Sequence, residues 1–388
     1  MRLLLTTDTR GGGWTHTLEL ARGLSRMDVD VTVAALGKRL PPPSRAALAA
    51  TGANIYEAPF GLDWMLAPWA ELADANRWLL RIYERVEPDV VQLNGTSHAA
   101  MRLPGPLVAV GHGCARTWWW SVMAGPPPVE WRRGEEILAA GLRRADAVVC
   151  ASEAMSAMMR RCYGPLRRMQ VIRPGRCGRR LKPGIKSTSV LSTGQLWDEG
   201  NNLQALDDAA GHIRWPVRVA GERRDLDGST WRMRSVVTLG ELDEAEMAAQ
   251  MRRAAIFALP SRYAPVGMAT LEAALSGCAL VLGDIPALRE TWGEAAVYVP
   301  ADDSAALAEA VNELIEDDGA RRRLSAAARQ RGLAMTPQQT VRGFMRLYEQ
   351  LRRESATQCR YGQQDRSAMA LEGLMLRPRW AEGVTSLE

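Results

Sequence analysis

The sequence predicts an α/β protein built of two Rossmann-like, doubly wound parallel sheets that face each other across a cleft. Three observations carry this. Short apolar runs rich in Val, Leu and Ala alternate with stretches of helical periodicity along most of the chain. The alternation lapses once, around 164–186, into basic sequence broken by proline and glycine, and then resumes. The length of 388 residues exceeds one ordinary domain, so two are expected.

The elements follow in order. The run RLLLTTD at 2–8 reads as a buried strand, the glycines at 11–13 as a turn, and Leu18, Leu20, Ala21 and Leu24 as the apolar face of a helix. Strands are expected over 29–35 and 54–58, a helix over 69–86, and strands over 89–93 and 107–110. A helix over 135–144 leads to a strand over 147–150 and a helix over 153–162. After the lapse come strands over 189–191, 216–220, 236–239, 256–259, 279–282 and 296–299. Helices over 202–210, 243–253 and 269–275 fall between them, and helices over 305–316, 319–332 and 337–353 close the series. The division is a first domain over 1–165, a basic hinge over 166–186, a second domain over 187–336, a helix over 337–354 and a tail over 355–388 with weak periodicity.

Composition excludes several classes. Hydrophobic residues at 47% and charged residues at 24% are ordinary for a globular chain that can bury a core. Residues 1–5 are too short an apolar run for a signal segment, and no stretch reaches the roughly 18 apolar residues of a membrane helix. A cytoplasmic protein is expected. Cys114, Cys150, Cys162, Cys177, Cys278 and Cys359 show no metal-binding spacing and read as thiols of a reducing compartment. The four histidines show none either, so no metal site is expected. There is no G-x-S-x-G elbow and no Walker A sequence. The net charge of +5 is uneven, with eight arginines, two lysines and no acidic residue between Arg160 and Lys186. That run is either a solvated linker or a dock for a polyanion or an anionic membrane surface, peripheral to the inner face.

The strongest local motif is ALPSRYAPVGMATLEAALSG at 258–277. A strand end meets a glycine turn and a helix starts at about Ala269, so the backbone N–H groups of Gly267, Met268, Ala269 and Thr270 can hold a phosphate. Glu272 can accept hydrogen bonds from ribose hydroxyls, or simply favour a helix N-terminus. His112 follows a strand in VAVGHG, a position that suits either a site or a histidine bonded at a strand end.

This motif, its continuation CALVLGDIPALRETWG at 278–293, the segment TGQLWDEGNNL at 193–203 and the opening LTTDTRGGGWTHTLELARG at 5–23 resemble the family 4 retaining glycosyltransferases, over residues 1 to about 353. The resemblance implies the GT-B architecture, with an acceptor-side first domain, a second domain that holds the nucleotide sugar, and a C-terminal helix crossing back. It implies transfer with retention from a nucleoside diphosphate sugar and no required metal or other cofactor. It places Gly12, Gly13, Gly194 and the turn at Gly267 against the donor, and His112 and Glu272 at the reacting end. Trp118 and Trp119, in the triple tryptophan after His112, are candidates to stack on an acceptor sugar.

The departures are equally specific. The two family cations that grip the diphosphate fall on Gln195 and Asn201, the first carboxylate of the Glu-x7-Glu pair falls on Ala264, and the usual aromatic residue falls on Val266. Losing two charged hydrogen bonds costs about 3–6 kcal/mol, or roughly two to four decades in donor affinity. Arg10, Arg173, Arg176 and Arg262 are the candidate replacements. Two readings result: a transferase with replacement cations or an unusual donor, and a catalytically deficient scaffold on the same fold.

Overall fold

The computed structural model describes all residues except 10, 63–68, 102, 224–229 and 376–388; at 11, 69, 70, 96 and 358–375 it describes the backbone alone. The first sheet contains β1 (Arg2–Asp8), β2 (Asp30–Leu36), β3 (Asn54–Ala58), β4 (Val90–Leu93), β5 (Leu107–Gly111), β6 (Ala147–Cys150) and β7 (Met169–Val171). The second contains β8 (Ser187–Thr193), β9 (Val217–Ala220), β10 (Val237–Gly240), β11 (Ala254–Leu259), β12 (Ala279–Gly283) and β13 (Val297–Val299). Their orders are β3-β2-β1-β4-β5-β6-β7 and β10-β9-β8-β11-β12-β13, and every pairing is parallel. In both sheets the order reverses beside the first strand, at β1/β4 and at β8/β11, which is where doubly wound sheets open a crevice.

The helices of the first half are α1 (Gly11–Ser25), α2 (Pro42–Ala49), α3 (Trp69–Val86), α4 (Ala115–Val122), α5 (Arg132–Arg144) and α6 (Glu153–Tyr163). Those of the second are α7 (Leu203–Ala210), α8 (Glu244–Arg253), α9 (Met268–Leu275), α10 (Pro286–Trp292), α11 (Ser304–Glu316), α12 (Asp318–Ala334) and α13 (Pro337–Met375). Strand pleating explains the layers. Leu3 and Leu5 of β1 join one core cluster with Leu20 and Leu24 of α1, while Leu4 joins another with Leu79 and Ile82 of α3.

Four elements escape the sequence reading. In α2 the prolines stand in the first turn, where the missing N–H costs nothing. In α4 three consecutive tryptophans hide any apolar stripe, and α10 opens on Pro286. β7 lies inside the stretch expected as hinge, where Val148, Val149 and Cys150 of β6 pair with Met169, Gln170 and Val171. An edge strand has one paired side only, so basic flanks do not disfavour it.

The C-terminal helix returns to the first domain. Val341, Phe344, Leu347, Tyr348 and Leu351 of α13 belong to the core cluster of β1 and α1. The Tyr348 hydroxyl bonds the Gln92 side chain of β4, both fully buried. Gly23 of α1 makes this approach possible, since a Cβ there would fall 2.2 Å from Val341 Cγ2. The helix continues to Met375, beyond the periodicity the sequence shows.

The Gly23 contact is directly testable. Gly23→Ala should lower stability by about 1–3 kcal/mol through overpacking against a stiff β-branched neighbour. Denaturant unfolding measures this, and an unchanged midpoint would mean that α13 moves off α1 freely.

Candidate active site

The segments that leave the carboxyl ends of the two sheets meet in the cleft, and the meeting is close. β5 ends at Gly111, His112 follows, and Gly113 turns the chain at φ +114°. A side chain at 113 would be strained there, and its Cβ would sit 2.4 Å from the hydroxyl of Tyr263, in the loop after β11. That hydroxyl bonds Thr117 Oγ1 of α4 at 2.7 Å. On the other side of the loop, Gly12 of α1 lies against Val266 and Met268, where a Cβ would meet the Met268 side chain at 3.4 Å. Gly13 instead leaves room for Asp8, whose Oδ1 would stand 3.0 Å from a Cβ. Gly11, Gly12 and Gly13, expected as a turn before the helix, are instead the first turn of α1, and the loop carrying Ala264 is seated between that turn and the end of β5.

α9 starts at this seam. Gly267 is its N-cap at φ +67°, and no side chain caps it. The N–H groups of Met268, Ala269 and Thr270 are those a helix cannot satisfy internally. Thr270 Oγ1 is buried and finds no partner among the described residues. One turn on, Glu272 accepts from Arg176 Nε at 2.8 Å.

Arg176 is the centre of a larger cluster. Its Nη1 donates to Glu19 of α1 at 2.6 Å and its Nη2 to Glu244 of α8 at 2.7 Å. The Arg176 side chain is 5% exposed, so its pairs with Glu19 and Glu272 are scarcely screened, while Glu244 is part-exposed. Burial pushes the Glu272 carboxyl up, Arg176 pulls it back only in part, and Glu244 and Glu19 add to the rise. The cluster ties hinge, first domain and second domain together. Arg173, three residues earlier, donates to Glu290 of α10 at 2.6 Å. Glu290 also accepts from the N–H groups of Glu153 and Ala154 at the start of α6, a second bridge between the domains.

The loop after β8, which carries Gln195 and Asn201, is held by its own side chains. Asn201 Nδ2 donates to Asp198 Oδ2 at 2.9 Å and lies over Gly194, where a Cβ would be 2.8 Å from its Cγ. The Gln195 carbonyl accepts from Asp198 N and Asn201 Nδ2, which closes the loop on itself. Trp118 reaches across the cleft and donates from Nε1 to Asp198 Oδ1 at 2.9 Å. Burial raises the Asp198 carboxyl, while the Gly200 N–H and Trp118 act against the rise. Trp119 stands edge-on to Trp118 with centroids 5.5 Å apart.

Of the candidate replacement cations, Arg173 and Arg176 hold carboxylates at the hinge, and Arg262 bonds Asp302 at 2.5 and 2.9 Å. Arg10 lies outside the described residues. The structure brings Gly12, Gly267, Met268, Thr270 and Glu272 to one seam, with His112 at its floor and Gly194, Gln195 and Asn201 on the adjoining loop.

Sequence reasoning missed Glu19, Asp198 and His16. Glu19 and His16 share one helix face with Gly12, at spacings of four and seven, which is the signal that pointed to them. His16 is 3% exposed, and its ring meets the His112 ring edge to face at 4.9 Å. Burial lowers both, His16 to about 4 and His112 well below its ordinary value, with the neighbouring His16 adding to the latter. Both are neutral imidazoles at pH 7.

Comparison with known proteins agrees with this fold. Residues 10–176 match the family described as Glycosyltransferase Family 4, and residues 187–317 match Glycosyl transferases group 1. A glycogen synthase of Mycobacterium tuberculosis is 31% identical over 218 residues, 52% of this chain and 53% of that protein. A phosphatidyl-myo-inositol mannosyltransferase of Mycobacterium leprae is 35% identical over 114 residues, 29% of this chain and 30% of that protein. The chain thus spans about half the length or less of these curated relatives. Among solved structures, sucrose-phosphate synthase of Thermosynechococcus elongatus superposes with a TM-score of 0.76 at 17% identity, over 90% of this chain and 99% of that one. Anabaena Alr3699/HepE in complex with UDP-glucose gives 0.72 at 15% identity, over 90% and 100%.

The Arg176 cluster predicts a pH signature. Arg176→Met strips the cation from the buried Glu272 and the part-exposed Glu244, leaves Glu19 only Arg22 at 3.5 Å, and should cost about 3–5 kcal/mol at pH 7. Glu272 already sits above its ordinary value, and losing the cation raises it further. A raised carboxyl favours folding below its unfolded value and loses that as pH rises through its folded value. The deficit of the variant should therefore shrink as pH falls from 7 to 5, read by denaturant midpoints; a pH-independent deficit would contradict the electrostatic account.

Proposed function

We propose that this chain, which belongs to the family 4-like glycosyltransferases of the GT-B plan, transfers a sugar from a nucleoside diphosphate sugar to an acceptor held by its first domain. The observation that carries this is the seam itself: an uncapped α9 start, a carboxylate one turn on, a glycine turn opposite and a buried histidine at the floor. Anionic diphosphate suits the free N–H groups and Thr270, and Glu272 suits the ribose. In this reading no metal is required, because the helix start and water exclusion stabilise the charge that develops on the leaving diphosphate. Transfer proceeds with retention, His112 sits beside the reacting sugar, and Trp118 and Trp119 border the acceptor. The sugar is a hexose: the similar proteins named above include a glycogen synthase and a mannosyltransferase, and the Anabaena protein was solved with UDP-glucose.

A second reading has its own observation. Asn201 and Asp198 are engaged with each other, and Trp118 of the first domain bonds the same loop. A protein that keeps its cleft closed in this way acts as a binding or scaffold protein rather than through turnover.

The basic run enters the proposal as a dock for an anionic membrane face or polyanion at the cytoplasmic side. Arg173, Arg176 and Lys186 are spent on internal partners, the last on the carbonyls of Ala254 and Ser276 at 2.8 Å. Arg160, Arg161, Arg167, Arg179, Arg180 and Lys182 stay exposed. Among the described residues no helix is long and apolar enough to cross a membrane.

Calorimetric titration with UDP, GDP, ADP and TDP and their sugar conjugates separates the readings. The transferase reading expects micromolar binding of one nucleotide, and Gln195→Arg with Asn201→Lys should tighten it roughly a hundredfold. A wild-type protein that binds none of them, beside a double variant that binds one, would establish the scaffold reading.

A further inference from the structure

We propose that His16 is a second substrate-binding histidine, which hydrogen-bonds a hydroxyl of the donor's sugar ring together with His112. The inference rests on the donor reading above and extends it to a residue outside the glycine turn and the α9 motif.

The position comes first. Gly12, His16 and Glu19 lie on one face of α1, and Met268 and Glu272 lie on one face of α9. Gly12 lies against Met268, and Glu19 is joined to Glu272 through Arg176. His16 falls between these two contacts, at the middle of the seam. The His112 ring closes one side at 4.9 Å and the Phe344 ring another at 5.7 Å.

The chemistry follows from what the rings lack. Nε2 of His16 and both ring nitrogens of His112 are buried without a partner among the described residues. A buried polar atom left unpaired costs stability, and here three stand on two touching rings. Some buried polar side chains in this molecule are paired, as Gln92 is with Tyr348 and Asn94, while single hydroxyls such as Thr32 Oγ1 and Ser276 Oγ find no partner among the described residues. Burial keeps both rings neutral, and the nearby Arg176 guanidinium is already enclosed by three carboxylates. An anionic phosphate finds no free cation among these groups. A neutral hydroxyl both donates and accepts, as a neutral imidazole pair does. The sugar ring is the part of the donor with that chemistry.

The test compares UDP with UDP-glucose, and GDP with GDP-mannose, by calorimetry on the wild type, His16→Phe and His16→Gln. His16→Phe keeps an aromatic ring beside Phe344. It should leave diphosphate binding within about twofold and weaken the sugar conjugate about tenfold. His16→Gln carries an amide that both donates and accepts, and should hold both within about threefold. If the Phe variant fails to fold, His16→Met replaces it, with the same expectation. Equal weakening of diphosphate and conjugate, or no change in either, would make His16 a packing residue and overturn the proposal. A folded wild type that binds neither member of either pair would overturn the donor reading, and this proposal with it.

Discussion

A single guanidinium determines how the two halves of this molecule meet. Arg176 leaves the hinge and ends among Glu19, Glu244 and Glu272, which come from three helices and two domains. A cation this dry must be paired to be tolerated, and carboxylates this close need a cation between them. The domains therefore cannot separate at this point without exposing or stranding charge. The hinge reinforces the constraint: Gly175 packs on the backbone at Thr336, where a Cβ would fall 2.3 Å from the carbonyl, and the Arg176 N–H donates to the Met335 carbonyl. The two chain crossings between the domains thus lie against each other.

The same cluster leaves Arg176 no free charge, because its three guanidinium nitrogens already meet Glu272, Glu19 and Glu244. Glu19 is shared with Arg22 at 3.5 Å, and the raised Glu272 carboxyl shows that burial there outweighs the pull of Arg176. The polar groups left open at the seam are uncharged, namely the N–H groups at the start of α9 and the Thr270 hydroxyl. Gln195 and Asn201 have become parts of a self-closed loop, and Trp118 holds that loop to the first domain. Charge is concentrated at the hinge, while the loop after β8 closes on itself through Asn201, Asp198 and Trp118.

The cleft floor follows the same logic. Two neutral imidazoles and a phenylalanine make a region with low charge but retained hydrogen-bonding capacity. Such a region distinguishes the neutral part of a ligand from its charged part by desolvation, because burying an anion there costs far more than burying a hydroxyl. The contrast with the α9 start, a few residues away across the seam, sorts a two-part ligand end to end.

The sequence by itself determined the two sheets, because alternating strands and helices are written in local periodicity. It also determined the α9 turn and Glu272, since a glycine at a strand-to-helix junction and an acid one turn on are neighbours in the chain. Resemblance to the family 4 glycosyltransferases, rather than local pattern, pointed to Gly12 and His112. The short β7 was not legible, because three residues amid arginines carry no periodicity and are made a strand only by β6 beside them. Nor were the partners of Arg176 and Trp118. Arg176 and Glu19 are 157 residues apart in the chain, and Trp118 and Asp198 are 80 apart. Only tertiary closure decided that Arg176 would hold the hinge rather than a ligand, that Asn201 would turn to Asp198, and that His16 would meet His112. Each of those outcomes depends on desolvation and pairing between distant segments, and local sequence does not encode burial of that kind.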